Sequence, residues 1–357
     1  MRAVLLAALA LAGCSAEPEA GGPEYHGPPI PWAWAPFPAV KAPKDNPTTE
    51  AKVALGRLLF YDPILSSDRQ VACATCHSEI WGMSDGLPRS VGIGGKGPTG
   101  PGRTGANVTR RNSPTLWNVA HKKTLFWDGR SPSLEAQALA PLAEPKELGR
   151  PPAEVAADLA SIPEYAAAFD TAFPADAEPV SAKNLARAIA AFERSFSSRL
   201  APYDRYVGGD AGSLDDETVR GMELFGEAGC AGCHVPPLFD SPRFASRGVG
   251  DGSDRGRFEV SGKPADDGAF LVPTLRNTRD SEPYFHDGSA LTLRDAVAHE
   301  VARSVADGSS RALADDEVDA ITRFLDKALT DRSEEPDRPE SVPSGLAVPK
   351  DGFRIPR

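Results

Sequence analysis

The sequence predicts a mainly α-helical protein made of two related halves joined in tandem, and three observations predict it. Cys-x-x-Cys-His occurs twice, at Cys73-Ala-Thr-Cys76-His77 and Cys230-Ala-Gly-Cys233-His234. Each copy follows a segment with helix-starting residues and helical apolar spacing. No convincing run of alternating apolar and polar residues marks a strand. The repeated motif attaches haem c: two cysteines three positions apart form thioethers to the vinyl groups, and the adjacent histidine reaches the iron. The expected fold is therefore two cytochrome c-like haem domains with long haem-wrapping loops, holding two covalently bound haem c groups through Cys73, Cys76, His77, Cys230, Cys233 and His234.

Four thiols in two pairs could also bind zinc or carry out thiol redox chemistry. Zinc ribbons place their pairs roughly 15–20 residues apart, whereas more than 150 residues separate Cys76 from Cys230. A thioredoxin-like site belongs in a βαβ pattern, and neither flank shows one. A net charge of −11 and a pI near 5.1 argue against nucleic acid as a partner, because phosphate binding needs a basic face.

Taken in order, residues 1–14 read as a signal peptide: an apolar run behind Arg2, too short to span a bilayer as a mature helix. Its ending Leu11-Ala12-Gly13-Cys14 resembles a bacterial lipobox, which makes Cys14 the candidate lipidated residue. The other reading is an ordinary signal with an incidental cysteine. Of five cysteines, four belong to the haem motifs and only Cys14 is left over. Because haem c is attached outside the cytoplasm, the expected location is the periplasmic side of a bacterial membrane, with a lipid anchor at Cys14. Residues 15–46 are a Pro/Gly-rich tether. Its Trp32, Trp34 and Phe37 are expected to pack on the folded body, with docking to a partner as the alternative.

The first haem domain spans 47–205. Thr48-Thr49-Glu50 can cap a helix carrying Val53, Leu55, Leu58 and Leu59 on its apolar positions. The Gly-rich stretch 92–102 lacks the phosphate-loop spacing and reads as a mobile surface loop. Ala153–Phe173 and Ala182–Phe196 read as amphipathic helices, and Pro202–Gly212 as the domain junction. The second haem domain spans 206–335, with a helix from Asp215-Asp216-Glu217 to Phe225 ahead of its motif. Residues 336–357 form a tail.

Beyond the haem motifs, four more segments carry a family resemblance. They are Arg111-Asn112-Ser-Pro-Thr115, Phe126-Trp127-Asp128-Gly129-Arg130, Val272-Pro-Thr-Leu-Arg-Asn277 and Tyr284-Phe285-His286-Asp287-Gly288. With these, the chain from Thr48 to about Leu329 resembles the bacterial dihaem cytochrome c peroxidases and their MauG branch, and its lipoprotein-like, Trp-rich start looks most like the MbnH-type relatives of MauG. The resemblance implies that hydrogen peroxide reacts at the N-terminal haem, under a glutamate and a glutamine that match Glu147 and Gln137. A desolvated carboxyl can take a proton from the near oxygen of peroxide and deliver it to the far one, which makes Glu147 the candidate acid/base and Gln137 its positioning partner. Trp127 matches the family's tryptophan between the two haems, where an indole can mediate electron or hole transfer and also fills core space. Asn112, with backbone around Ser281 and Pro283, matches the family's interdomain calcium site, so one calcium ion is expected. His286 matches a position near the second haem, expected to hydrogen-bond a propionate, the alternative being an ordinary loop histidine.

Two departures from the family pattern sharpen the expectation. Conventional dihaem peroxidases close the resting N-terminal haem with a histidine on the following loop, yet no histidine lies between His77 and His121, and His121 reads as structural. The first haem is therefore expected to be open and ready for peroxide without reduction, as in MauG. The sixth ligand of the C-terminal haem is methionine in the peroxidases and tyrosine in MauG; the matching position here is Glu300, which shares an apolar helix face with Leu293, Ala296, Val297, Val301 and Ser304. Glu300 or its neighbour His299 is the candidate ligand, with an open or water-bound iron as the third option; Met83 and Met222 lie elsewhere. An anionic or histidine ligand lowers the haem potential relative to methionine.

The resemblance thus leads to a dihaem oxidoreductase that oxidises a periplasmic protein partner at long range, in the MbnH case at a tryptophan. The runner-up is a cytochrome c peroxidase that reduces peroxide with electrons from a small cytochrome or cupredoxin. A non-catalytic dihaem electron-transfer protein is the third class, and it would need neither Gln137 nor Glu147.

Overall fold

The computed structural model describes residues 36–353 and is mainly helical. Its helices are α1 (Glu50–Tyr61), α2 (Cys73–Cys76), α3 (Leu134–Ala143), α4 (Pro152–Ala160), α5 (Pro163–Ala172), α6 (Ala182–Glu193), α7 (Pro202–Val207), α8 (Asp216–Glu227), α9 (Phe258–Ser261), α10 (Leu293–Ala306) and α11 (Asp315–Ala328). Two short strands, β1 (Phe244–Ala245) and β2 (Phe270–Leu271), pair antiparallel.

Each half is organised by two helices that cross at a glycine. In the first, Thr49 caps α1 by accepting from the Lys52 N–H, and α1 crosses α6 where a Cβ on Gly56 would lie 2.0 Å from the Ala188 carbonyl oxygen. In the second, Asp215 caps α8 by accepting from the Thr218 N–H, and α8 crosses α11 where a Cβ on Gly221 would lie 1.9 Å from the Ala320 carbonyl oxygen. Phe192 and Phe324 sit beside these crossings. The two resulting cores are separate: Leu55, Leu59, Phe60, Ile189 and Phe196 in one; Met222, Phe225, Phe239, Ile321 and Phe324 in the other.

The halves repeat in finer detail. Asn118 and Asn277, Phe126 and Phe285, and Met83 and Phe239 are matching residues with φ between 51° and 72°. Thr115 and Thr274 each donate a hydroxyl to a backbone carbonyl just after a haem motif, of Gly82 and Leu238 (2.7 Å each). The halves then meet through equivalent residues: the Asn112 N–H donates to His286 O, and its counterpart, the Leu271 N–H, donates to Trp127 O, both at 2.7 Å. The interface is pseudo-two-fold.

Two local expectations are corrected, for the segment 153–173 and for the Gly-rich loop, and two other segments are given their surroundings. The segment 153–173 is two helices, because Pro163 starts a new one after the turn at Ser161 and Ile162. In the stretch Pro202–Gly212, read as the domain junction, α7 buries Tyr203, Tyr206 and Val207 in the second core. The Gly-rich loop is pinned by the buried Arg103, which donates to Val91 O (2.9 Å) and Gly97 O (3.0 Å). The C-terminal tail crosses back to the first half, where Val342, Leu346 and Val348 join the first core and Arg338 binds the Glu79 carboxylate at 2.8 and 2.9 Å. Phe37 packs edge-on against His121 (centroids 5.5 Å apart), as expected of a tether aromatic; Trp32, Trp34 and Cys14 lie outside the described residues.

The glycine crossings give a direct test. Gly221→Ala should lower the stability of the haem-loaded protein by about 1–3 kcal/mol through overpacking, measured by denaturant unfolding; an unchanged midpoint would show that the two backbones are not in contact.

Candidate haem and active site

The two Cys-x-x-Cys-His motifs open onto one continuous cavity of about 920 Å³, lined by Cys76 and His77 at one end and by Cys230, Cys233 and His234 at the other. Each histidine is oriented by its own backbone. His77 Nδ1 lies 3.0 Å from Met83 O, and His234 Nδ1 lies 3.3 Å from Phe239 O and 3.1 Å from Pro273 O. A donated Nδ1–H leaves Nε2 as the metal-facing nitrogen. Burial drives His77 down to about 4 and lowers His234 as well, so both imidazoles are neutral, as ligands must be.

Burial pushes the Cys73 and Cys230 thiols up to about 12, far from the thiolate that zinc binding or thiol exchange requires. Among the described residues no group of three or more His, Cys, Asp or Glu is placed to hold a metal ion. The donor set and the shared, largely apolar cavity fit two haem c groups.

At the first end, Ser133 caps α3, and Gln137, Pro141 and Glu144 follow at helical spacing on the cavity wall. Glu147 completes this wall from the next turn, where its N–H donates to Glu144 O (3.0 Å) and its carbonyl accepts from the Ile93 N–H (3.0 Å). The second contact depends on Gly92, where a Cβ would lie 1.9 Å from Lys146 O. The carboxyl of Glu147 is raised to about 6, mainly by burial, with Glu144 adding to the rise and Arg130 opposing it.

Between the two ends, Trp127 and His286 occupy equivalent positions of the two repeats and meet edge to face with centroids 6.4 Å apart. Trp127 Nε1–H donates to Asn112 O (2.9 Å), and His286 stacks on Phe270 at 3.6 Å. Beside them Arg111 bridges the halves, donating to Asp128 of its own half (2.6 Å) and to both carboxylate oxygens of Asp254 (2.7 and 2.8 Å). Burial opposes ionisation of Asp254, but the Arg111 hydrogen bonds outweigh it and hold the group at about 2. Asn112, Ser281 and Pro283 line the same cavity; Asn112 Nδ2 donates to Leu87 O (2.8 Å), which leaves its oxygen as the end to offer a cation.

At the second end α10 presents Leu293, Ala296, Val297, Glu300, Val301 and Ser304 to the cavity, the face expected from the sequence. The structure separates the two ligand candidates. Glu300 is on the wall, but its carboxylate accepts from Arg247 Nε at 2.7 Å. His299 is not a wall residue; its Nε2 lies 3.0 Å from Arg247 O and its ring packs against Phe285.

The chain matches the family model for di-haem cytochrome c peroxidase over residues 50–212. It is 40% identical over 264 residues to the methylamine utilization protein MauG of Methylorubrum extorquens, covering 73% of this chain and 71% of that relative. It is 36% identical over 291 residues to cytochrome c551 peroxidase of Pseudomonas aeruginosa, covering 79% of this chain and 80% of that one. The fold is similar to the crystal structure of a MauG-like protein associated with microbial copper homeostasis, with a TM-score of 0.71, 31% identity, and coverage of 85% of this chain and 97% of that chain.

The chain belongs to the dihaem cytochrome c peroxidase/MauG family.

It is an oxidoreductase of the dihaem peroxidase type, and membership of this family implies two c-type haems, hydrogen peroxide and a protein partner. Three residues of this dihaem peroxidase escaped the sequence reading. Pro141 sits on the wall beside Gln137 and Glu147, and a proline inside a helix was a visible signal for it. Gly92 carries no local signal, because the backbone that it must admit, at Lys146, lies far along the chain. Arg247 carries none either, because its partners lie more than 50 residues away.

Proposed function

We propose that this dihaem peroxidase works in the manner of the MauG branch: peroxide reacts at the first haem beside Glu147, the oxidising equivalents are shared with the second haem across Trp127, and a docked protein is oxidised at long range, with a tryptophan as the target. The observation that carries this reading is the composition of the cavity wall. Among the described residues its histidines are His77, His234 and His286, and it has no methionine; Met83 and Met222 are fully buried in the two cores. Among the described residues the one wall histidine outside the haem motifs is His286, which is stacked on Phe270, so none of them is at hand on the loop after the first haem motif to close that haem in the way that conventional peroxidases do.

When bound, the haem supplies the iron that accepts oxidising equivalents from peroxide. The protein does the rest. Glu147, raised by burial, takes the proton from the near peroxide oxygen and returns it to the far one, and Gln137, on the same cavity wall, orients the peroxide. Trp127 is held rigid by Asn112 O on its indole nitrogen and by the Leu271 N–H on its carbonyl. Burial lowers the His286 pKa, against the pull of the Asp287 and Asp254 charges, and its ring N–H would donate to a haem propionate. Asn112, Ser281 and Pro283 hold one calcium through neutral oxygens, which suits a hard cation. Val235, directly after the second haem motif, is exposed, which gives a partner a route close to the second haem. The location proposed with this function is the periplasmic side of a bacterial membrane, with a lipid anchor at Cys14; the lipobox-like sequence and the extracytoplasmic attachment of haem c support it.

Because ionised Glu147 is the active form, the rate of the diferric protein with peroxide should rise with pH through about 6. Glu147→Gln should slow it by about 10²–10⁴-fold and flatten the profile; an unaltered rate would support the electron-transfer protein instead. Steady-state oxidation of a reduced small cytochrome or cupredoxin by peroxide should stay well below about 10 per second; faster turnover would put the conventional peroxidase ahead.

A further inference from the structure

The two side chains that the sequence offers as ligands for the second haem are both engaged by one residue. Arg247 lies along α10 and uses every part of its guanidinium. Nε donates to Glu300 Oε2 (2.7 Å), Nη2 to Glu300 O (3.1 Å) and Ser304 Oγ (3.0 Å), and Nη1 to Asp307 Oδ2 (3.0 Å). Glu300, Ser304 and Asp307 form one stripe at i, i+4 and i+7, so the arginine braces the last two turns of the helix. The backbone carbonyl of Arg247 in turn takes the Nε2–H of His299 (3.0 Å), which anchors the segment that carries the guanidinium.

An inward carboxylate on an apolar face is costly unless it is paired or bound to metal. That cost is what made Glu300 attractive as an iron ligand, and the pair with Arg247 already meets it. Arginine does not deprotonate in a protein, and its fork is bonded at three other points, so the pair is not released near neutral pH. Glu300 is nonetheless within electrical reach of the haem motif. Burial is the main influence on Cys230 and His234, and the Glu300 charge is the next one on both. In the first half, the position equivalent to Glu300 is Pro141, which has no donor group to offer a metal.

We propose that Arg247 is a positioning residue that withholds Glu300 from the second haem, so that in the resting protein the coordination position not taken by His234 has no protein ligand. The proposal rests on the attachment of a haem at Cys230, Cys233 and His234, and not on which molecule the protein oxidises. It makes Glu300 a latched carboxylate and His299 a backbone anchor. Removing the latch should bring the carboxylate to the iron.

The test uses the full-length, haem-loaded, diferric protein without peroxide or partner, read by absorption and electron paramagnetic resonance spectra and by spectroelectrochemical potential. Glu300→Gln should leave the coordination signature of the second haem as in the wild type. Arg247→Gln should convert that haem to a six-coordinate, oxygen-ligated form and shift its potential downward, because a cation is lost and an anionic ligand gained. The double variant should return to the wild-type signature. Loss of a sixth-ligand signature in Glu300→Gln alone would show that Glu300 binds the iron and that Arg247 supports it there. Identical spectra for Arg247→Gln and wild type would also overturn the proposal. If Arg247→Gln does not fold, Glu300→Gln decides the question by itself. With no peroxide present, failure of the latch and failure of the functional reading are distinguishable.

Discussion

Two backbone hydrogen bonds between equivalent residues hold the working parts of this protein together. The Asn112 N–H to His286 O and the Leu271 N–H to Trp127 O are related by the pseudo-two-fold axis. Each contributes only about 1 kcal/mol net, but together they fix the register of the halves, and every functional distance follows from that register. They place the indole of Trp127 against the imidazole of His286 in the wall shared by both haem ends, and they carry Asn112 to the side of Ser281 and Pro283. Arg111 reinforces the joint electrostatically: its side chain and those of Asp128 and Asp254 are each at most 14% exposed. Leaving any one of them alone would strand a buried charge.

Function comes from the places where the symmetry is broken. Both halves share the glycine-crossed helix pair, the carbonyl that orients the haem histidine, and the capped helix that walls the cavity. On that common frame, the position of Trp127 is His286 in the other half, and the position of Pro141 is Glu300. The buried Trp117 is matched by the buried Arg276, which donates to Asp204 at 2.6 Å and ties α7 to the loop after β2. The first half thus keeps the buried carboxyl of Glu147 on its cavity wall, whereas the second holds its inward carboxylate in an ion pair.

Local and periodic features were legible in the sequence. The haem motifs, the capped helices leading into them and the cavity face of α10 could be read because covalent chemistry and helix geometry act over a few residues. The family resemblance located Glu147 and Trp127, which no local pattern would have singled out. What could not be read were contacts made at a distance. Arg247 reaches Glu300 across 53 positions, the tail returns to Glu79 across more than 250, and Gly92 matters only because another loop passes over it. The Gly-rich composition of that loop suggested mobility, whereas Arg103 and the returning tail make it a support for Glu147.

On the proposed reading, one cavity, open to peroxide without prior reduction, serves both haems. Rapid-mixing absorption spectroscopy of the as-isolated diferric protein with stoichiometric hydrogen peroxide, and no prior reduction, probes this. The expected result is a fast change in which the bands of both haems move in a single phase. A diferric protein that is inert until one electron is added, or one in which only a single haem responds, would rule out a shared cavity that is open at rest.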